Sequence, residues 1–172
     1  MEENVKNIIY NELKKKIILQ KEINYIFLCI GTEKIVGDSY GPLVGEKLYN
    51  NLNKNKNVHV IGKLKENVTY TMVKNEIKKI EKNYIKPYII AIDAATSTQK
   101  NIGKIIVTER KIKVGEGVKK DGYSVGNISI KAIVGKKENN ILKSYKELQN
   151  VPYSTVEKLV DETVKGILML KV

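Results

Sequence analysis

The chain has 172 residues, a formal net charge of +12 at pH 7 and one cysteine, Cys29. This length suits one domain with a substantial buried core. A single cysteine excludes an internal disulfide framework and any multi-cysteine metal site. No apolar run approaches the roughly 18 residues that span a bilayer, and the N-terminus lacks the pattern of a signal peptide. We therefore expect a cytoplasmic protein without a membrane partner.

The positive charge raises the question of a nucleic-acid partner. All of the 31 basic residues except Arg110 are lysines, whereas arginine supplies the bidentate groups that read guanine edges and clamp phosphates. No aromatic pair accompanies a basic strand, as an RNA-binding sheet would require. Charge alone is a weak basis for assigning such a partner, and we do not expect nucleic acid to be the principal one.

The first half of the chain predicts alternating helices and strands. Apolar residues at helical spacing predict an amphipathic helix within residues 1–24. The short apolar run at 25–30 is typical of a strand that is buried on both faces. Gly41 and Pro42 open a predicted helix, because proline suits a first helical turn. The same criteria predict, in chain order, a strand at 57–61, a helix at 69–83 and a strand at 87–92 that runs into Asp93.

The second half of the chain has a less regular pattern. It predicts strands or an irregular loop at 103–109 and 111–117, a strand at 127–134 and a closing helix at 154–170. Ser154 and Glu157 have the spacing of a capping box at the start of that helix. Together the elements predict an α/β fold of three layers, with a doubly wound, mostly parallel sheet. We expect a single domain at 25–172, preceded by a helical extension at 1–24.

The loop between the first strand and the next helix has the sequence CIGTEKIVGDSYGP, residues 29–42. In this fold class ligands and catalytic groups lie in such loops. Five residues separate Gly31 from Gly37, and Asp38 follows where a P-loop has lysine. Gly31, Gly37 and Gly41 are also too widely spaced for the dinucleotide pattern. The loop therefore excludes both common phosphate-binding motifs.

Asp38 in this loop and Asp93 after the third strand are the candidate working residues. In the common strand order 2-1-3, the first and third strands are adjacent, and their carboxyl ends meet at the switch point. Two carboxylates there could form an acid–base pair, in which repulsion raises one pKa, or supply oxygen ligands to a metal. The alternative is that Asp38 caps the following helix and Asp93 starts a turn.

Other residues are weaker candidates. A lone histidine in a strand, His59, is more often structural, and Cys29 lies within a buried run where a thiol is inert. Ser39 follows Asp38, but no histidine motif supports a serine triad. The remaining residues could either shape a substrate cleft at the same edge or be plain loop residues: Glu66, Thr96, Ser97 and the segment from Gly115 to Gly126.

Three stretches of the chain resemble the spore protease family called YyaC. They are FLCIGTEKIVGDSYGPLVGEKL at 27–48, YIIAIDAATS at 88–97 and VGEGVKKDGYSVGNISIKAIV at 114–134. That family is related to the germination protease of spore-forming Firmicutes and, more distantly, to hydrogenase maturation endopeptidases. The resemblance extends from about residue 25 to residue 166. Its most specific part is Gly-x-x-x-x-x-Gly-Asp-x-x-Gly-Pro after a buried strand.

The resemblance implies a phosphorylase/hydrolase-like fold and peptide-bond hydrolysis. In the germination protease the acidic residues of the matching motifs are the catalytic candidates, and they fall on Asp38 and Asp93. In the maturation endopeptidases the matching acidic residues bind a metal together with a later histidine. No histidine follows His59 in this chain. The chain is also much shorter than the germination protease.

The sequence and the resemblance together predict a sporulation-associated peptidase, in the sporulating cell or the spore interior, with Asp38 and Asp93 as catalytic residues. We expect a protein or peptide substrate, no cofactor and no metal, and the oligomeric state stays open. The alternative is a non-catalytic sporulation protein that uses the same fold to bind a peptide or partner. The predicted substrate-binding residues are Gly31, Thr32, Gly37, Ser39, Gly41, Thr96 and Ser97.

Overall fold

A computed structural model describes residues 4–17, 20, 22–114 and 123–171, with the side chains of 113, 114 and 123 outside that description. The end of the strand or irregular loop predicted at 111–117, and most of the segment from Gly115 to Gly126, therefore lie outside the described residues. The helices are α1 (Val5–Lys16), α2 (Tyr40–Leu52), α3 (Val73–Asn83), α4 (Ile141–Gln149) and α5 (Tyr153–Leu168). The strands are β1 (Asn24–Cys29), β2 (Val58–Ile61), β3 (Pro87–Ser97), β4 (Ile105–Thr108), β5 (Ile112–Val114), β6 (Tyr123–Val125) and β7 (Ile128–Lys136). Short 3-10 turns cover Gly37–Ser39 and Gln99–Asn101.

The main sheet has five strands in the order β2-β1-β3-β7-β4. Strands β2, β1, β3 and β7 run parallel, and β4 pairs antiparallel with β7 at one edge. Strands β5 and β6 form a separate antiparallel pair. Helices α2 and α3 join β1 to β2 and β2 to β3, and they cover opposite faces of the sheet, which is the doubly wound arrangement. The predicted α/β class with a mostly parallel sheet is confirmed.

Two hydrophobic layers cover the sheet, one on each face. On the first face, α1, α2 and α5 pack over Phe27, Ile90 and Ile130. On the second face, α3 and the β5–β6 pair pack over Ile26 and Ala91. Side chains alternate between the faces along each strand, so a central strand must be apolar on both. This explains the continuous apolar run at 25–30.

Helix α1 belongs to the same core as the domain that follows it. Ile9 and Leu13 are fully buried in the first layer. A Cβ on Gly166 of α5 would lie only 2.8 Å from the Cβ of Ile9, so the two helices approach closely. The boundary that we predicted at residue 24 therefore does not divide the hydrophobic core.

Several local predictions differ from the structure. Helix α5 begins at Tyr153 after Pro152, so Ser154 lies inside the helix, and its predicted role as an N-cap is wrong. Pro152 replaces the cap because its fixed φ suits the start of a helix. Helix α3 begins at Val73, four residues later than expected. Helix α4 was not predicted; its apolar residues Ile141, Leu142 and Tyr145 are exposed. No helix in the described part of the chain is long and apolar enough to cross a membrane.

Gly45 tests how tightly α2 packs against the end of β2. A Cβ at this position would collide with the backbone carbonyl of Gly62. Intrinsic helix propensity favours alanine over glycine by about 1 kcal/mol, but the collision opposes it, and we expect Gly45→Ala to lower the free energy of unfolding by about 2 kcal/mol. Urea unfolding measures the change. Asn50→Ala on the exposed side of α2 is the control, and a Gly45→Ala protein as stable as that control would contradict the close packing.

Candidate active site

The candidate site lies where β1 leaves the sheet. The last residue of β1, Cys29, pairs with Ile92 of β3. The backbone N–H of Ile30 still donates to the Ile92 carbonyl at 2.7 Å, but the N–H of Gly31 donates to Val68 at 3.0 Å, on the side of β2. The chain thus turns away from β3 after Ile30. Because β1 connects to one side of the sheet and β3 to the other, this is the topological switch point, where ligands bind in folds of this class.

Asp38 returns to this point on the 3-10 turn that precedes α2. Its backbone carbonyl accepts a hydrogen bond of 3.2 Å from the N–H of Thr32. Gly31 has φ +141°, and a Cβ there would collide with the Asp38 carbonyl. A glycine at position 31 is therefore required both by its backbone conformation and by the close approach of Asp38.

Gly41 fixes the start of α2 against the same strand end. A Cβ at Gly41 would collide with the carbonyl oxygen of Ile30. Helix α2 begins at Tyr40, with Ser39 as its N-cap, and no side chain makes a capping hydrogen bond there. The alternative interpretation of Asp38 as a helix cap is therefore wrong. Its carboxylate precedes a helix N-terminus, where the macrodipole favours negative charge.

Asp93 lies inside β3 and not at its end, which corrects the prediction that the strand stops at this residue. Strand β3 continues to Ser97, because β7 pairs with it along this stretch, with Lys131 opposite Asp93. Since β1 pairs with β3 only as far as Ile92, Asp93 is the first residue of β3 that β1 does not cover. It is half-buried, as is Asp38.

The two carboxyl groups share one electrostatic environment. Burial raises the pKa of Asp38 to about 6, and a hydrogen bond from the Thr32 backbone opposes that shift. Burial raises the pKa of Asp93 well above its ordinary value, and the charge of Asp38 raises it further. Lys131 and the backbone N–H of Ala94 act in the opposite direction on Asp93. Shifted pKa values of this kind are typical of acid–base sites, although ion networks also produce them.

Lys131 is the residue that the sequence analysis missed. It lies in β7 directly opposite Asp93, and it is half-buried in a strand whose residues from Ile128 to Gly135 are otherwise buried. The sequence did contain a signal: one lysine interrupts the apolar run ISIKAIV, residues 128–134.

The predicted substrate-binding residues lie around the switch point, but several already have contacts within the chain. The Ser39 hydroxyl is buried and donates to the Val36 carbonyl at 2.6 Å. A Cβ on Gly37 would meet Leu148 of α4 at 2.9 Å, so Gly37 allows that helix to pack on the loop. Gly31 and Gly41 likewise lie against backbone atoms, of Asp38 and Ile30 respectively. These contacts explain why small residues are found at these four positions. Binding of a substrate there stays a prediction.

Thr32, Thr96 and Ser97 are half-buried residues near the same strand ends. The Thr32 hydroxyl accepts a hydrogen bond of 3.3 Å from the Lys34 backbone. Thr96 and Ser97 follow an irregularity in the pairing of β3 with β7, and the Ser97 hydroxyl lies 3.1 Å from the Asn101 side chain. All three can border a bound substrate at the carboxyl edge of the sheet.

The weaker candidates have structural surroundings. His59 Nε2 lies 3.1 Å from the Asn24 side chain, and the His59 ring packs 4.3 Å from that of Tyr84. Burial raises the pKa of Cys29, so its thiol stays protonated and unreactive. Glu66 forms an ion pair with Lys63. A shallow cavity of about 240 Å³ lies beside Pro87 and Asn127, at the amino ends of β3 and β7 and hence at the opposite edge from the aspartates.

The donor groups at the site do not fit the metal site that the resemblance to maturation endopeptidases implies. In the described part of the chain, no group of three or more His, Cys, Asp or Glu side chains could hold a metal ion. Asp38 and Asp93 supply two carboxylates, and the charged side chain opposite Asp93 is a lysine, which repels a cation. Protein sites for transition metals usually supply at least three ligands.

Comparisons with known proteins agree with this architecture. Residues 1–166 match the family described as "Protein of unknown function (DUF1256)". The chain is 33% identical over 142 residues to the uncharacterized protein YyaC of Bacillus subtilis strain 168, an alignment that covers 83% of this chain and 67% of that protein.

Solved structures of hydrogenase maturation proteases have a similar fold. The NiFe hydrogenase maturation protease HycI from Thermococcus kodakarensis KOD1 aligns with a TM-score of 0.51 and 18% identity, over 86% of this chain and 90% of that chain. The maturation protease HybD from Thermococcus kodakarensis aligns with a TM-score of 0.46 and 16% identity, over 86% and 98%. At these identities the likeness to HycI concerns the fold alone.

The raised pKa of Asp38 predicts a pH dependence of stability. The Asp38 carboxyl has a pKa of about 6 in the folded protein and near 3.8 in the unfolded chain. It therefore does not lower the free energy of unfolding below pH 3.8, and it lowers that free energy increasingly as the pH rises to 6. Asp38→Asn removes this cost. We expect the variant to match the wild type near pH 4 and to exceed it by about 2–3 kcal/mol at pH 7. Urea unfolding of both proteins at both pH values measures this. A stability difference between Asp38→Asn and the wild type that is the same at pH 4 and pH 7 would contradict the burial of the carboxyl.

The donor set also predicts that the protein holds no stoichiometric transition metal. Protein purified without a chelator should contain well under one equivalent of any such metal by elemental analysis. The Asp93→Ala variant, purified in the same way, is the comparison for metal content. A full equivalent in the wild type that is lost in Asp93→Ala would show that the aspartates bind a metal after all.

Proposed function

The chain belongs to the DUF1256 family, and we propose that it is a peptidase in which Asp38 and Asp93 hydrolyse a peptide bond of a protein substrate. One observation carries the proposal: two half-buried carboxyl groups at the switch point of the sheet have raised pKa values, and the charge of Asp38 raises the pKa of Asp93. Neighbouring buried carboxyl groups lose their protons at different pH values, so that one can serve as a base while the other keeps its proton.

The directions of the pKa shifts suggest which aspartate takes which role. With a pKa of about 6, Asp38 is ionised at neutral pH and can accept a proton. The pKa of Asp93 is raised by burial and then by the charge of Asp38, so Asp93 is the group that retains its proton. Because the pair is coupled, the two values belong to the pair as a whole. Asp38 is therefore the base, and Asp93 is the acid.

Hydrolysis then proceeds with a balanced exchange of protons. Asp38 takes a proton from a water molecule, whose oxygen forms a bond to the scissile carbonyl carbon. Asp93 donates a hydrogen bond to the carbonyl oxygen and then gives its proton to the leaving nitrogen as the C–N bond breaks. The products are a carboxylic acid and an amine. Exchange with solvent returns a proton to Asp93 and removes one from Asp38.

We propose a sporulation-associated role, in the cytoplasm of the sporulating cell or in the spore interior. This part of the proposal rests on the resemblance to spore proteases, since the relative YyaC is itself uncharacterized. Helix α4 favours one further candidate function, the binding of a partner without catalysis. It contacts the turn that carries Asp38, and it exposes 73% of Leu142 and 48% of Tyr145. Such apolar residues could contact either a substrate or a non-substrate partner.

Asparagine substitution tests the catalytic proposal. Asp38→Asn and Asp93→Asn should each lower peptidase activity at least about 100-fold, because an amide keeps the shape of the side chain but neither accepts nor supplies the proton. Wild-type activity should rise between about pH 5 and pH 7 as Asp38 ionises. Small spore proteins and casein are suitable substrates, and circular dichroism checks that the variants fold.

Asp161→Asn is the matched control, because Asp161 is a surface residue paired with Lys47 at 2.5 Å. It should retain full activity. Activity that survives in Asp38→Asn would refute the assignment of the base. A wild-type protein that cleaves nothing, yet captures a partner from sporulating-cell extract through α4, would favour the binding function instead.

A further inference from the structure

Lys131 occupies a position where a lysine is costly. Strand β7 lies between β3 and β4, and its residues Ile128, Ile130, Ala132 and Val134 belong to the first core layer. Ser129 and Ile133, which alternate with them, are also buried. The neighbours of Lys131, Ile130 and Ala132, are fully buried in the first layer. Lysine is among the residues least often buried, because its ammonium loses hydration. A half-buried lysine in such a strand therefore calls for a compensating negative charge.

Strand register places that charge directly beside Lys131. Lys131 pairs with Asp93 on β3 and with Ile106 on β4. Paired residues on neighbouring strands project from the same face of a sheet. Ile130 and Ala132 point into the first layer, so Lys131 and Asp93 share the opposite face. Ile106 on the other side is apolar and 43% exposed, and it offers no charge.

The charge of Lys131 acts on Asp93 through space. The ion pairs of the described residues, with nitrogen and oxygen within 4.0 Å, do not include this pair. The ammonium nevertheless lowers the pKa of Asp93, against burial and the charge of Asp38. The titratable and polar groups that interact with Asp93 are Asp38 on the 3-10 turn, Lys131 on β7, the Ala94 N–H and Tyr40 on α2. Of these, Lys131 is the cation.

We propose that Lys131 is a positioning residue for Asp93, and that its ammonium group stabilises the carboxylate that Asp93 becomes after it gives its proton to the leaving amine. The inference rests on the proposed peptidase function. Without a cation, burial and the neighbouring Asp38 would make Asp93 hold its proton too strongly to be an effective acid. With the ammonium one strand away, Asp93 can donate the proton and then recover it from solvent. Lys131 itself does not touch the substrate.

Titration of the Asp93 carboxyl tests this role independently of any substrate. Carboxyl carbon resonances from ¹³C NMR would report the pKa of Asp93 in the wild type, Lys131→Met and Lys131→Arg. Methionine keeps the apolar stem but removes the charge, and we expect the pKa to rise by about one unit. Arginine keeps the charge and should restore most of the wild-type value. Lys78→Met, on the exposed side of α3, removes one charge elsewhere and should leave the pKa unchanged.

The pH profile of activity supplies a second measurement. In Lys131→Met the alkaline limb, which reports Asp93, should move to higher pH, and the maximal rate should fall about tenfold. Lys131→Arg should recover the rate. A residue that serves packing alone would not shift the limb. If Lys131→Met fails to fold, Lys131→Gln replaces it in both experiments.

The outcomes separate the inference from the proposed function. A folded Lys131→Met or Lys131→Gln protein with an unchanged Asp93 pKa overturns the role of Lys131, even if the wild type is a peptidase. A wild type without peptidase activity overturns the proposed function. In that case a raised Asp93 pKa in Lys131→Met would still show that the lysine controls the charge state of the aspartate.

Discussion

The hydrogen-bonded end of β1 is the constraint on which the rest of the site depends. Ile30 is still bound to β3 through the Ile92 carbonyl, and Gly31 is bound instead to Val68. Because of that change of hydrogen-bond partner, β1 stops pairing with β3 at Ile92. Asp93, the next residue of β3, therefore has no β1 residue beside it. The absence of side chains at Gly31 and Gly41 lets the Asp38 turn and α2 approach this strand end at backbone contact. Any larger residue would push Asp38 away from Asp93.

The site illustrates a conflict between stability and chemistry. Two half-buried carboxyl groups at the same strand ends disfavour the ionised form, and the raised pKa values of Asp38 and Asp93 record that cost. The large buried core that surrounds the site on both faces of the sheet can tolerate such a cost. Lys131 reduces the cost for Asp93 without forming a close ion pair. A close pair would hold Asp93 in its ionised form and remove the proton that the reaction uses.

The comparisons and the site contribute different kinds of information. The similarity to HycI extends over most of the chain but concerns the fold, and a fold alone does not establish a function. The uncharacterized relative from Bacillus subtilis places the chain in a family without adding a reaction. The proposal of peptidase chemistry therefore rests on the local arrangement of Asp38, Asp93 and their neighbours. The two carboxylates and the neighbouring lysine are also a poor donor set for a metal ion, because the described residues place no third ligand with them.

The sequence by itself determined the fold class and singled out the two aspartates as candidates, because apolar runs such as 25–30 and the glycine-rich loop at 29–42 depend on local patterns of residues. It could not locate the end of β3 or the partner of Lys131. Whether Asp93 ends a strand depends on how far β7 pairs with β3, and 30 residues separate these two strands along the chain. Ser154 resembled a cap because of its spacing to Glu157, but the helix begins at Tyr153 after Pro152. Strand register is a long-range property, and it was the tertiary structure that decided which charges face each other.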